Sequence, residues 1–224
     1  MTAGGVRYEA WRASQEDVRA LSDVIRDLSS RNPKSLSSPE RTALSIDLYN
    51  AKVLEIVLTK APKSSIKEVT PGITGYGVFL KPAVSLGGKT ISLRDLEDRL
   101  RTESKDPRIH FAINCASKSC PPIAAEPYRG AALDAQLDRS VRAFLAAPGA
   151  LVVTGGPKAV GKSEARVECS KIFDWYAKDF ASAGGALAFI EKYAPAEVAS
   201  AIRSSAGSAK LVYQEYDWSL NRAP

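Results

Sequence analysis

Between Glu40 and Leu58 the chain is apolar on nearly every helical face, carrying Leu44, Ile46, Leu48, Ala51, Val53, Leu54, Ile56, Val57 and Leu58. A helix without a polar stripe has to be buried on all sides. This one is therefore expected at the centre of the fold, with the other elements wrapped around it. Ser38-Pro39 opens it, Ser as the cap and Pro at the first helical position, where its missing N–H is no loss. Asp47 and Asn50 stand one turn apart and share a face. Buried polar groups need partners, so that face either ties down a neighbouring loop or borders a cleft.

The flanking segments read as shorter elements. Ser14-Gln15-Glu16-Asp17 has a capping-box pattern, and Val18, Leu21, Val24, Ile25 and Leu28 follow as a helical stripe that ends at Arg31-Asn32-Pro33. Residues 78–80 and 84–86 read as strands, with Gly87-Gly88 turning the second into Lys89-Thr90-Ile91. Ser92 caps a helix to about Thr102. Arg108 to Asn114 alternates, with Ile109, Phe111 and Ile113 on one side, and reads as a strand. A helix over Leu133–Leu145, strands over 151–153 and 165–169, helices near 171–181, 185–193 and 195–204 and a strand over 210–213 complete the order of elements. The expected architecture is α+β: a buried central helix packed on a small, mostly antiparallel sheet with flanking helices. Residues 1–37 are expected as an N-terminal helical segment and 38–224 as a single domain.

Composition excludes some functions. The formal charge is +6, but the basic residues are interleaved with acids and form no Lys/Arg block. That pattern is a solvated mixed surface rather than a nucleic-acid footprint. No apolar run approaches the roughly 20 residues of a membrane span. The start shows no basic segment followed by an apolar one, so no signal peptide is read there. Gly156-Pro157-Lys158-Ala159-Val160-Gly161-Lys162-Ser163 matches the phosphate-loop pattern in letters. The segment after Ser163 alternates like a strand, however, so no helix dipole would face the glycines. The stretch reads as a Gly- and Lys-rich hairpin turn.

The chemistry-bearing stretch is Arg108 to Cys120, with the sole histidine, His110, and two of three cysteines, Cys115 and Cys120. Three readings stay open on residue types. A cysteine could be a nucleophile with His110 as its base, Asn114 or Asn50 orienting the imidazole, Lys118 adding positive potential and backbone amides of 115–119 forming an oxyanion hole. Cys115 and Cys120 could instead form a small disulfide worth about 2 kcal/mol. A metal held by His110, Cys115 and Cys120 is the weakest match, since one His and a wide Cys spacing fall short of a zinc set. No cofactor or metal is assigned.

Taken together, Leu48-Tyr49-Asn50-Ala51, Arg108-Ile109-His110-Phe111-Ala112-Ile113-Asn114-Cys115-Ala116-Ser117, Cys120-Pro121-Pro122, Ser170-Lys171-Ile172-Phe173-Asp174-Trp175-Tyr176, Asp179-Phe180 and Tyr216-Asp217-Trp218-Ser219-Leu220-Asn221 resemble the family catalogued as domain of unknown function 547. The resemblance runs in order from about residue 40 to residue 221. The family usually carries Trp-x-Asn just before the Tyr-Asn pair; here Ser45-Ile46-Asp47 stands there. The resemblance implies a bacterial, often exported protein with its signal removed. It also implies thiol chemistry, since some eukaryotic relatives carry a glutaredoxin-like domain. A buried helix beside a sheet holding a His is similar to the papain and transglutaminase core. Those enzymes place the nucleophile at the start of the central helix, where this chain has no Cys.

The leading expectation is a cysteine-dependent hydrolase or acyl transferase acting on an amide or ester of a peptide-like or small-molecule substrate. Cys115 is its nucleophile with Cys120 second, His110 its base, and Asn114 or Asn50 the orienting group. The alternative is a non-catalytic exported binding module braced by a Cys115–Cys120 disulfide. Trp175, Tyr176 and Phe180 are expected as core packing, and Tyr216-Asp217-Trp218 as a clamp on the tail.

Overall fold

The computed structural model describes residues 5–70, 75–155, 165–205 and 209–223. Two compact units are distinguished, one comprising residues 1–137 with 217–224 and the other residues 138–216. The N-terminal helices belong to the first unit.

In the first unit, α1 (Tyr8–Ala13) and α2 (Gln15–Ser30) precede the long α3 (Ser38–Lys60). The Ser14 hydroxyl accepts from the Asp17 amide, as the capping pattern predicts. Leu21 and Leu28 are buried on the inner face of α2, whereas Val24 is half exposed. The α3 cap is Ser37, one residue earlier than expected: the Glu40 carboxylate reaches back to the Ser37 amide and hydroxyl. The helix ends at Ala61 in the left-handed conformation. Ile46, Leu48, Val53 and Val57 are fully enclosed, and the buried set covers all but one narrow stripe, where Arg41, Ser45, Lys52 and Ile56 are only partly buried. The helix is central as predicted.

The first unit continues with α4 (Gly77–Leu80), a hairpin of β1 (Pro82–Leu86) and β2 (Lys89–Ser92), and α5 (Leu93–Ser104). Residues 78–80 are thus helical rather than a strand; Pro82 starts β1 and leaves the preceding turn free to coil. Gly87 and Gly88 take φ of +60° and +76°, the backbone that a two-residue hairpin turn needs. Ser92 caps α5 by accepting from the Asp95 amide. Helix α3 packs mainly against α2 and α5 and only lightly on β1, so helices rather than a sheet supply most of its cover.

The chain passes into the second unit within α6 (Leu133–Leu145). That unit holds a three-stranded sheet of β3 (Val152–Thr154), β4 (Arg166–Cys169) and β5 (Lys210–Tyr213), in the order β3-β4-β5. The β3–β4 pair is antiparallel and β4–β5 parallel. Between β4 and β5 come α7 (Ile172–Trp175), α8 (Ala186–Tyr193) and α9 (Ala196–Ser204). The class is α+β, with two small sheets among the described residues instead of the one expected. Phe173, Phe180 and Phe189 pack ring to ring at 4.9–6.2 Å as the apolar centre of this unit. Phe180 is core as predicted, but Trp175 is 44% exposed and lies on Tyr216. The phosphate-loop match over 156–163 lies outside the described residues. Ala165 leads directly into β4, with no helix at that point.

Candidate functional site

The segment expected as a strand over 108–114 is a 3₁₀ turn, Pro107–Phe111. Pro107 fixes φ, and the Asp106 carboxylate accepts from the Arg108 amide, so the chain coils at once. Residues 109–114 are all buried, which is why their alternation carried no information about faces. The backbone groups that a neighbouring strand would have paired are met by one side chain. Asn50 on α3 donates from Nδ2 to the Ala112 carbonyl at 2.8 Å and accepts at Oδ1 from the Asn114 amide at 2.9 Å. Its carboxamide stands in for a strand partner.

Asn114 repeats the device inside the loop. Nδ2 donates to the Pro121 carbonyl and Oδ1 accepts from the Ala116 amide, both at 2.6 Å. This closes a turn around Ala116, whose φ is +61° although it is not glycine. The tail then clasps the loop from outside. Lys118 donates its amide to the Ser219 carbonyl, Ser119 to the Asp217 carbonyl, and Asn221 to the Ala116 carbonyl. Asn221 also accepts from the Tyr8 hydroxyl at 2.7 Å and approaches Asn114 Oδ1 at 3.4 Å. A polar chain therefore runs Tyr8–Asn221–Asn114–Asn50 through the first unit. Tyr8 is fully buried, and burial pushes its phenol well above the usual range. The expected clamp by the tail is present.

Asn50 and Asn114 thus hold backbone. The amides of 115, 116, 118 and 119, expected as an oxyanion hole, are already engaged, the first by Cys120 Sγ and the others as above. Cys115 and Cys120 are bonded to each other across a Cα separation of 6.3 Å. Each is only partly buried. The Cys115 amide donates to Cys120 Sγ at 3.0 Å, and the Ser117 hydroxyl lies 3.2 Å from Cys115 Sγ. His110 sits in the turn just before, 3% exposed. Cys169, the remaining thiol, is in the second unit on β4, and burial pushes it up to about 12, with Asp174 adding to the effect. Sequence reasoning brought the right loop and helix together but missed Tyr8. No pattern marks a tyrosine at residue 8 as the end of a network anchored near residue 221.

A family model described as Protein of unknown function, DUF547, matches residues 33–145, half of the chain. The chain belongs to this family. Neither the curated proteins nor the solved structures give a match. The DUF547 span takes in α3 and the whole cysteine loop; Tyr8 and Asn221, which close the polar chain at its far end, lie outside it.

Asp47 is the position where the DUF547 resemblance expects Asn. Its Oδ1 accepts from the Tyr128 amide at 3.1 Å, a bond that an Asn carbonyl makes equally well. Together Asp47 and Asn50 resolve the question of α3's polar face: it ties down two loop segments. The charge is the difference. Burial raises the Asp47 pKa from 3.8 to about 6, only partly offset by the Tyr128 amide and Arg31. The folded state then holds a proton that the unfolded chain releases, so this stabilising contribution is complete below pH 3.8 and is lost as pH rises through about 6. Asp47→Asn is expected to stabilise the protein by about 2 kcal/mol at pH 8, with the gain fading toward pH 4. Urea titrations of both forms across that range check it; parallel stability curves would contradict it.

Proposed function

We propose that this DUF547 chain is a non-catalytic binding module in which residues 112–122 form a rigid, disulfide-braced recognition loop for a peptide-like or small-molecule ligand. The observation that carries this reading is the Cys115–Cys120 bond. Nucleophilic chemistry needs a thiolate, and two sulfurs bonded to each other offer none. The engaged amides support the same conclusion, because an oxyanion hole needs donors that are free for substrate. The loop still turns Lys118 and Pro122 to solvent. A disulfide of this kind persists in oxidising compartments, which supports export.

A second reading has its own support. The Cys115 amide aimed at Cys120 Sγ and the Ser117 hydroxyl beside Cys115 Sγ are donors that would stabilise a thiolate once the bond is reduced. Reduction by a small dithiol would free both thiols and oxidise the dithiol to its own disulfide. The product would be a cysteine-dependent hydrolase or acyl transferase with His110 as base, and the likeness to papain and transglutaminase cores belongs to this reading.

Thiol counting separates the two. The binding module predicts one titratable thiol in the denatured, unreduced protein, Cys169, and three after reduction. It also predicts no turnover of an activated ester by either form. Rapid single-site alkylation of the reduced protein by iodoacetamide at neutral pH, lost in His110→Ala and matched by ester hydrolysis, would overturn the module in favour of the enzyme.

A further inference from the structure

A cleft of about 740 Å³ opens in the first unit. None of its lining residues falls between 108 and 122, so binding there is independent of the cysteine loop's role. Four cations reach it from four different segments: Lys34 from the 3₁₀ turn after α2, Arg41 from the first turn of α3, Lys89 from the start of β2, and Arg99 from α5. Among the described residues, Glu103 is the one acid on its wall.

Ordinary surfaces interleave opposite charges; this wall does not. No ion pair or side-chain hydrogen bond engages Lys34 or Lys89 among the described residues. Arg99 has Asp95 one turn back on its own helix and Glu103, the acid of the same wall, one turn on. Arg41 is fixed by donating from Nη1 to the Leu36 carbonyl at 2.6 Å, which leaves the rest of its guanidinium fork available. Leu86 and Leu100 form a buried apolar floor, and α3 adds Ser45 and Thr42 to the wall, the Thr42 hydroxyl donating to the Ser38 carbonyl. Low-dielectric walls beside clustered cations concentrate positive potential in the hollow. The glycine turn is packed close against the 3₁₀ turn, since a Cβ on Gly87 would stand 3.4 Å from Pro33, so the rim does not depend on side chains alone.

We propose that this cleft is a binding site for a phosphorylated small molecule with at least two negative charges and an apolar part. The volume lies within the usual range of small-ligand pockets. Cations approaching from several directions suit oxygens spread around a tetrahedral phosphorus better than the flat edge of one carboxylate. The leucine floor receives the part of the ligand without charge.

Calorimetric titration of the full chain with inorganic pyrophosphate at low salt tests this. Pyrophosphate binds, more weakly as salt rises. Lys34→Glu with Lys89→Glu weakens binding by about tenfold or more, since each reversal replaces an attraction by a repulsion at close range. Lys34→Gln with Lys89→Gln gives a smaller loss in the same direction, and serves should the reversals disturb folding. Lys60→Glu with Lys81→Glu, off the cleft, makes the same change in net charge and leaves affinity nearly unaltered. Absence of pyrophosphate binding, or equal weakening by both charge-reversed pairs, overturns the proposal. So does citrate binding as tightly as pyrophosphate, which would make this a general carboxylate site. Binding only to phosphatidylcholine vesicles doped with phosphatidic acid overturns it as well, in favour of a membrane-facing patch.

Discussion

Asn114→Ala is expected to cost about 4 kcal/mol, the largest effect of any single loop substitution. The carboxamide satisfies the Ala116 amide and the Pro121 carbonyl and meets Asn221, all within a residue that is 2% exposed. Alanine fills none of these roles, and each buried backbone group left without a partner costs about 1–3 kcal/mol. Ala116 would also lose the support that holds it at positive φ. Asn114→Asp is the informative companion. It keeps the acceptor for Ala116 but turns the donor to Pro121 into a second acceptor, and so retains only part of the stability. Urea unfolding of the three proteins at neutral pH gives the answer. If Asn114→Ala lost less than about 1 kcal/mol, the disulfide alone would hold the loop and the carboxamide network would be incidental.

Asn221→Ala is expected to cost about 3 kcal/mol, although the residue stands near the end of the described chain. It leaves the fully buried Tyr8 hydroxyl without its acceptor and removes the approach to Asn114. Tyr8→Phe should cost less, about 1 kcal/mol, because it removes the donor and leaves an acceptor that solvent near the tail can reach. Since Asn221 and Tyr8 share one bond, the double substitution should fall well short of the sum of the two. Thermal and urea unfolding of the two single variants and the double variant complete the cycle. Strict additivity would mean that Tyr8 and Asn221 act separately. A second readout is the loop itself: loosening of the tail should raise the rate at which a dithiol reduces Cys115–Cys120, because the clasp of Lys118 and Ser119 on the tail slackens.

Both substitutions act on structure that also frames the proposed recognition loop. A loop cross-linked by Cys115–Cys120, closed by Asn114, hung from α3 by Asn50 and held by residues 217–221 has little freedom left. Such rigidity lowers the entropic cost of recognition. It also delays access of reductant to the sulfurs, so the loop's resistance to reduction reports on the same contacts that the unfolding experiments measure.

The sequence by itself determined the central helix, since an apolar surface on nearly every face has only one favourable environment. It likewise determined the glycine hairpin, the caps at Ser14 and Ser92, and the strands of the second unit, where residue chemistry acts within a few positions along the chain. It also drew attention to the polar pair on α3 and to the cysteine loop. Tertiary structure alone decided what those residues do. The 108–114 segment alternated like a strand, but its carbonyl and amide partners come from Asn50, more than sixty residues earlier. A side chain can replace a sheet edge only after α3 has been placed beside it. The same holds for Tyr8 and Asn221, which meet across 213 positions of sequence. It holds for the four cations of the cleft, each unremarkable where it stands in the chain and set together only by the packing of 3₁₀ turn, helices and hairpin. Local preferences are written in neighbouring residues; the partners of buried polar groups are fixed by which distant segments the apolar core draws together.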